Sequence, residues 1–218
     1  MTNSIGINEH SSIRIAFNGS ILYFDPFHIN GAPHDADLIF ISHSHYDHFS
    51  PEDIVRICKP ETMFVLPESM HSEAAAAGIP DDSMLTVIPG DRRTLNGITL
   101  EAVPAYNVGK PFHPKDERWV GYIVKLGTKR IYVCGDTDAL PENLRISCDV
   151  LLIPVGGKYT MDSAEAAAFT NRLKPQLAIP THYGTITGTP YDGMDFSRRV
   201  NKDIGVRLLM GESLTFTV

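Results

Sequence analysis

The sequence His43-Ser44-His45-Tyr46-Asp47-His48 places three imidazoles and one carboxylate within six residues. It follows the apolar run Leu38-Ile39-Phe40-Ile41, which predicts a buried strand. Ser50 and Pro51 come next and are typical of a helix start, with serine as the N-cap and proline in the first turn. The histidine-rich stretch is therefore predicted to form the loop that leaves a buried strand.

The spacing of these side chains indicates a site for two metal ions. His43 and His45 are two residues apart at a strand end, so the two-residue period of a strand points both in the same direction, as ligands of one ion require. Asp47 and His48 come where the chain turns towards the helix, and they would serve an adjacent ion. The alternative, a polar turn with incidental histidines, leaves this concentration of a rare residue unexplained.

Two later residues also follow predicted strand ends. Asp136 comes after an apolar strand in Cys134-Gly135-Asp136, and His182 comes after Ile179-Pro180-Thr181. An aspartate in this position could instead cap the next segment, and a lone histidine is more often structural. Because both are expected at the same edge as the first cluster, we interpret them as further metal ligands. The sequence gives no such placement to His28, His34 and His71, which are assigned to the surface.

The composition limits the class of protein. With 19 Lys and Arg against 26 Asp and Glu, the net charge is −7, which argues against nucleic acid as a partner. No apolar run approaches the roughly 20 residues that span a bilayer, and residues 1–4 carry neither a basic segment nor an apolar signal core. We therefore expect a cytoplasmic protein with no membrane contact and a small-molecule substrate. Homo-oligomer formation is left open.

The predicted elements follow the same order twice: a β-hairpin, a buried strand, a polar loop, a helix and a short apolar strand. The hairpins, buried strands and helices fall at 12–26, 37–41 and 51–58 in the first half, and at 120–136, 149–153 and 162–173 in the second. Short apolar strands end at Pro67 and Pro180, a second helix is predicted over 68–77, and strands are predicted near 85–88, 93–95 and 98–103.

This order favours an internal duplication, although two unrelated halves could share it by chance. We predict one domain over 1–218 with similar halves at about 10–104 and 119–218. Such halves would pack sheet against sheet with helices outside, which gives a mixed α/β (α+β) fold, a four-layer αββα sandwich. Loops from equivalent strands would then gather at one edge and hold the candidate ligands.

Three motifs together resemble the metallo-β-lactamase superfamily: His43-x-His45-x-Asp47-His48, Gly135-Asp136-Thr137 and Pro180-Thr181-His182-Tyr183. The opening residues 10–15 and Phe24-Asp25-Pro26-Phe27 look like its branch of L-ascorbate-6-phosphate lactonase-like hydrolases. The resemblance implies the following ligands: His43 and His45 for a first metal, Asp47, His48 and His182 for a second, and Asp136 as a bridge.

One ligand of that pattern does not transfer directly. The branch has a further histidine for the first metal in a Pro-Ala-aromatic-His context, but this sequence reads Pro104-Ala105-Tyr106-Asn107. Asparagine is a poor zinc ligand. His113, six residues later, could supply the missing imidazole, and Asn107 would then be a substrate-binding residue. Otherwise the protein would hold one metal or bind the second one weakly.

The ligand types fit zinc by default, with manganese or iron as alternatives. A bound metal lowers the pKa of its water towards about 7, so the resemblance implies a hydroxide that attacks an ester, lactone or phosphoester bond. Asp47 would orient that hydroxide and accept its proton. Tyr183 could donate to an oxyanion, and Lys158 could pair with an anionic substrate group. Equally, Tyr183 could simply pack and Lys158 could be a solvated lysine.

Two other functions remain open at this stage. The same scaffold could carry a di-iron redox protein, or a metal- and metabolite-binding module without turnover. Asparagine instead of histidine at position 107 is the feature that supports a binding module without turnover.

Overall fold

Two β-sheets of seven strands each organise the protein, for which we obtained a computed structural model that describes residues 2–216. In chain order the first strands are β1 (Ser4–Ile7), β2 (Ile13–Phe17), β3 (Ser20–Phe24), β4 (Leu38–Phe40), β5 (Met63–Pro67), β6 (Met84–Val87) and β7 (Arg92–Leu95). The remaining strands are β8 (Ile98–Pro104), β9 (Val120–Leu126), β10 (Lys129–Val133), β11 (Val150–Pro154), β12 (Leu177–Thr181), β13 (Gly205–Val206) and β14 (Ser213–Thr215). The α-helices are α1 (Pro51–Ile57), α2 (His71–Ala76), α3 (Ser163–Leu173) and α4 (Asp192–Arg199).

The two sheets have the same pairing pattern. The first has the order β14-β1-β2-β3-β4-β5-β6, and the second has the order β7-β8-β9-β10-β11-β12-β13. In each sheet the first three neighbouring pairs are antiparallel and the last three are parallel. A helix precedes each of the last two strands of both sheets. This is the repeated order of elements that the sequence predicts.

The described chain divides into two compact units. The first unit consists of the residues up to Ile88 together with the segment that begins at Met210, and the second unit runs from Pro89 to Leu209. Each sheet lies within one unit. The single domain expected over 1–218 stays a prediction.

In the first unit, α1 and α2 pack on one face of the sheet. α1 begins as predicted, with the Ser50 hydroxyl accepting a hydrogen bond from the Asp53 N–H and with Pro51 in the first turn. Burying each large apolar side chain contributes roughly 1.5–3 kcal/mol, so this core fixes the position of the loop between β4 and α1. The core is formed by Tyr23, Ile29, Ala36, Ile39, Ile41, Phe49, Ile54, Ile57, Phe64, Leu66, Met70, Ala74 and Ile79.

In the second unit, α3 and α4 pack against each other and against β11 and β12. α3 starts with a capping box, in which Asp162 Oδ1 accepts from the N–H groups of Ala164 (2.9 Å) and Glu165 (2.8 Å). Glu165 Oε2 accepts in return from the Asp162 N–H at 3.0 Å. α4 was not predicted, because its sequence is strongly polar and contains Gly193, a poor helix former.

Strand direction places the candidate residues at one edge of each sheet. In the first sheet, β3 and β4 are parallel, so the chain after Phe24 and the chain after Phe40 leave the same edge. In the second sheet, β8, β10 and β12 run in one direction, so the loops that follow them also share an edge. Candidate ligands lie on these loops, as is usual at the carboxyl ends of parallel strands.

The other predicted elements agree with the structure, with one correction. The predicted helix over 68–77 starts as a 3₁₀ turn at Glu68–Met70 and becomes α-helical at His71–Ala76. The structure also contains the short strands β1, β13 and β14, which the sequence does not predict. Within the part of the chain that the structure describes, none of the helices has the length and apolar character needed to cross a bilayer.

Candidate metal centre

The loop after β4 brings two imidazoles of the first unit together. His43 Nε2 lies 3.0 Å from His45 Nδ1, and the two rings meet edge to face with centroids 4.7 Å apart. The His45 carbonyl accepts from the N–H groups of His48 (2.9 Å) and Phe49 (2.8 Å), which turns the chain towards α1. The predicted convergence of His43 and His45 is present, although the chain beyond Phe40 is no longer a strand.

Asp25 holds the next imidazole. Its Oδ2 accepts from His48 Nδ1 at 2.8 Å and from the Ser42 hydroxyl at 2.7 Å, and its Oδ1 accepts from the Ser42 N–H at 2.7 Å. All three side chains are buried. A carboxylate that accepts from one ring nitrogen leaves the lone pair on the other, so Nε2 is the nitrogen of His48 that could bind a metal.

The same network orients His43. The Ser42 hydroxyl has one proton and donates it to Asp25, so it accepts from His43 Nδ1, which lies 2.9 Å away. His43 therefore carries its proton on Nδ1 and keeps the lone pair on Nε2. That is the nitrogen that faces His45.

Asp47 has a partner that the sequence analysis did not assign to the site. Its Oδ2 lies 3.2 Å from His10 Nε2 and 3.7 Å from His48 Nε2. His10 is fully buried, and its backbone N–H points to the Met210 sulfur at 3.2 Å. His10 therefore orients the carboxylate of Asp47 from the side of the loop after β1.

In the second unit, two imidazoles converge on one carboxylate. Asp136 Oδ2 lies 2.9 Å from His182 Nε2 and 3.2 Å from His113 Nε2. The three residues are buried, and each follows a strand that ends at the same edge of the second sheet. His113 thus lies beside a candidate ligand, as one of the two alternatives from the sequence requires.

The Asn107 side chain makes its hydrogen bonds with His113 and Tyr159. Its amide contacts the His113 backbone and ring and the Tyr159 carbonyl, and the residue is only 8% exposed. Its substrate-binding role remains a prediction.

Tyr183 and Lys158 have different surroundings: Tyr183 is buried beside α4, and Lys158 is exposed. Tyr183 is buried, and its hydroxyl packs against Gly193 of α4, where any larger residue would overlap the ring. Burial and the nearby Asp192 raise the pKa of the Tyr183 hydroxyl. Lys158 is exposed, with its Nζ 4.7 Å from the centroid of the Tyr159 ring. The position of Tyr183 favours the packing alternative, while Lys158 stays available to an anionic group.

Three of these residues adopt left-handed backbone conformations. The φ angles are 55° at His10, 46° at Asp25 and 57° at His182. Such angles are uncommon for residues other than glycine, although Asp and His tolerate them better than most. Strain of this kind costs on the order of 1–3 kcal/mol and concentrates at functional sites. The surrounding buried contacts hold these side chains in place in spite of that cost.

The donor set fits a borderline divalent metal. The donors are imidazole nitrogens and carboxylate oxygens, which suit Zn²⁺, Mn²⁺ and Fe²⁺. Ligands 2.0–2.1 Å from a tetrahedral ion lie about 3.3 Å from one another. The separations of 3.0 Å between His43 and His45, and of 2.9 and 3.2 Å around Asp136, are close to that value. These separations are compatible with ligands that share one ion within each unit.

His10 and Asp25 are the residues that the sequence analysis missed. From the sequence alone they contribute only to the resemblance to the lactonase-like branch. Asp25 lies at the end of the hairpin predicted over 12–26, and its contact with the loop after β4 follows only once the second hairpin strand and β4 are known to be parallel neighbours. His10 gives no comparable signal, because it lies in a turn after a strand that was not predicted.

Comparison with known proteins identifies the family. The chain matches the beta-lactamase superfamily domain over residues 4–182. A UPF0173 metal-dependent hydrolase of Thermococcus kodakarensis is 31% identical over 227 residues, covering 94% of this chain and 96% of the relative. Igni18, a metallo hydrolase from Ignicoccus hospitalis, has a TM-score of 0.83 at 24% identity, and the match covers 100% of both chains.

A second solved structure has the same fold with a different chemistry. CmlA, a diiron beta-hydroxylase from Streptomyces venezuelae, has a TM-score of 0.79 at 13% identity, and the match covers 100% of this chain and 54% of that chain. At this identity the likeness shows the fold alone. The predicted fold class is confirmed, whereas the lactonase-like branch stays a prediction. By these matches the chain belongs to the beta-lactamase superfamily, in the family of UPF0173 metal-dependent hydrolases.

Proposed function

We propose that this protein is a metal-dependent hydrolase that cleaves an ester, lactone or phosphoester bond of a small, anionic metabolite. The ligands are His43, His45, Asp47, His48, His113, Asp136 and His182, and zinc is the metal. The observation that carries the proposal is the buried network of Asp25, Ser42, His43 and His48, which engages Nδ1 of both imidazoles and leaves Nε2 as the nitrogen that can bind a metal.

This network is better explained by a metal than by stability. Burying polar groups is costly unless each is hydrogen-bonded, and a packed apolar cluster would stabilise the same place at lower cost. Here the Asp25 carboxylate and the Ser42 hydroxyl fix the proton positions of two buried imidazole rings. Carboxylate–histidine pairs of this type orient metal ligands and raise their basicity.

A bound metal supplies a nucleophile at neutral pH by lowering the pKa of water, and it polarises the substrate oxygen. The side chain of Asp47 provides a carboxylate that is 10% exposed and can accept a proton from an attacking water. His10 Nε2, 3.2 Å from Asp47 Oδ2, keeps that carboxylate oriented. Lys158 gives an exposed positive charge for an anionic substrate group.

The experiment compares metal-free and metal-loaded protein. Protein stripped with a chelator is loaded with Zn²⁺ or Mn²⁺ and assayed on carboxylic esters, lactones, phosphomonoesters and phosphodiesters. We expect turnover of at least one class that appears on loading and disappears on stripping. Tight metal binding without turnover of any class would instead identify a binding module, and turnover that survives stripping would refute a metal-dependent reaction.

A further inference from the structure

Asn107 and His113 close the loop between β8 and β9 on itself. The Asn107 N–H donates to the His113 carbonyl at 2.8 Å, and Asn107 Oδ1 accepts from the His113 N–H at 3.1 Å. The same Oδ1 lies 2.9 Å from His113 Nδ1. Both residues are buried, so these bonds are shielded from competition by water.

The partners of Asn107 determine which way its amide points. Its Nδ2 lies 2.9 Å from the Tyr159 carbonyl, which can only accept, and its Oδ1 faces the His113 backbone N–H, which can only donate. The oxygen of the amide must therefore face His113. It follows that His113 Nδ1 is the donor in the third bond and carries the proton.

This proton position leaves the other ring nitrogen for a metal. With Nδ1 protonated, a neutral His113 keeps its lone pair on Nε2, which lies 3.2 Å from Asp136 Oδ2. A metal ion bound to both Nε2 and this carboxylate oxygen would hold them at about this separation. The Trp119 ring meets the imidazole edge to face, with centroids 5.7 Å apart, and limits its rotation.

We propose that Asn107 is a positioning residue for a metal-binding imidazole: it fixes the Nδ1–H form and the orientation of His113, so that Nε2 binds the metal. This inference rests on the proposed function, in which His113 and Asp136 are ligands. It accounts for the departure at Asn107 from the Pro-Ala-aromatic-His pattern, because the side chain at position 107 holds the ligand instead of being one.

The loop has a second, separate attachment that provides a control. Lys110 Nζ donates to Asp138 Oδ1 at 2.6 Å and to the Thr160 carbonyl at 2.7 Å. Lys110→Ala removes this attachment without changing the groups that contact the His113 ring. A general loosening of the loop can thereby be distinguished from loss of the bond to the imidazole.

The test measures zinc affinity and the proton on the ring. Zinc binding to wild type, Asn107→Ala, Asn107→Asp and Lys110→Ala is titrated against a chelator, and the Nδ1–H of His113 is followed by ¹⁵N-edited NMR of the zinc-loaded protein. In Asn107→Ala we expect the affinity for one bound ion to fall about 10–100-fold and the Nδ1–H signal to be lost. Asn107→Asp retains the acceptor oxygen and should keep the signal, and Lys110→Ala should keep both.

Each other outcome overturns the inference. Wild-type affinity with an intact signal in Asn107→Ala, or an equal loss in Lys110→Ala, would exclude a specific positioning role. If Asn107→Ala fails to fold, the wild type still decides, because zinc bound through Nδ1 contradicts the assigned proton position. A wild type that binds no zinc, manganese or iron would refute the proposed function itself, a result distinct from the others.

Discussion

Asp25 Oδ2 accepts a hydrogen bond from His48 Nδ1 at 2.8 Å, between two residues 23 positions apart in the chain. The contact exists because β3 and β4 are parallel neighbours and their carboxyl ends meet. The aspartate follows one strand and the histidine-rich loop follows the other. A carboxylate outside the recognisable motif thus determines how an imidazole inside it is presented.

Replacing Asp25 with asparagine should weaken metal binding without unfolding the protein. Asparagine tolerates the left-handed backbone at this position, φ 46°, almost as well as aspartate. One of its two terminal atoms is, however, an NH2 donor, so it cannot accept at Oδ2 from the His48 ring and the Ser42 hydroxyl and also at Oδ1 from the Ser42 N–H, as the carboxylate does. We expect metal affinity to fall about 10–100-fold in a chelator competition assay. Unchanged affinity would show that Asp25 has no part in holding His48.

Removing a proposed ligand from either unit should abolish hydrolysis. His48→Ala and Asp136→Ala each delete a buried donor that is not needed by the apolar core. We expect loss of turnover and a lower metal content per chain, with the circular dichroism spectrum retained. The matched control is His34→Ala, which changes an exposed histidine that contacts the Cys58 carbonyl. Unchanged turnover in either ligand variant would refute its assignment.

The capping box of α3 should contribute to stability but not to metal binding. Asp162→Ala removes the acceptor for the N–H groups of Ala164 and Glu165. The free energy of unfolding should fall by about 1 kcal/mol, measured by urea denaturation. Asp162→Ser retains a capping oxygen and should lose only part of this. Equal stability of the alanine and serine variants would mean that the side-chain cap does not stabilise α3.

The Cys58 thiol should react slowly until the solution is strongly alkaline. Burial raises its pKa from 9.0 to about 11, more than the hydrogen bond with Thr62 lowers it. Since the thiolate is the reactive form, alkylation at pH 8 should be about 100-fold slower than for an ordinary thiol, and the rate should rise up to about pH 11. Peptide mass spectrometry after timed iodoacetamide treatment follows this residue alone. A rate that levels off near pH 9 would contradict the shift.

The sequence predicts the loop after β4 well, because its signals are local. The apolar run before it, the Ser50-Pro51 helix start and the spacing of His43 and His45 lie within a few residues of one another. The repeated order of hairpin, strand and helix likewise predicts the shared pairing of the two sheets. In these cases the energetic reason for the structure lies in the same stretch as the pattern.

The supporting residues could not be predicted, because their roles depend on contacts between distant segments. Whether Asp25 meets His48 depends on strand order, and whether Asn107 binds substrate or holds His113 depends on where the Tyr159 carbonyl lies. For Tyr183 the sequence leaves catalysis and packing open, and the contact of its hydroxyl with Gly193 favours packing.

The most direct test of the proposed function is an anomalous scattering measurement on crystals of the protein purified without added metal. Data collected on both sides of the zinc, iron and manganese edges identify the metal and locate it. We predict zinc peaks about 2.0–2.2 Å from the ring nitrogens of His43, His45, His48, His113 and His182 and the carboxylate oxygens of Asp47 and Asp136. Stoichiometric iron at these residues would contradict the zinc hydrolase, and metal bound only elsewhere, or no metal even after soaking with zinc, would contradict the metal site itself.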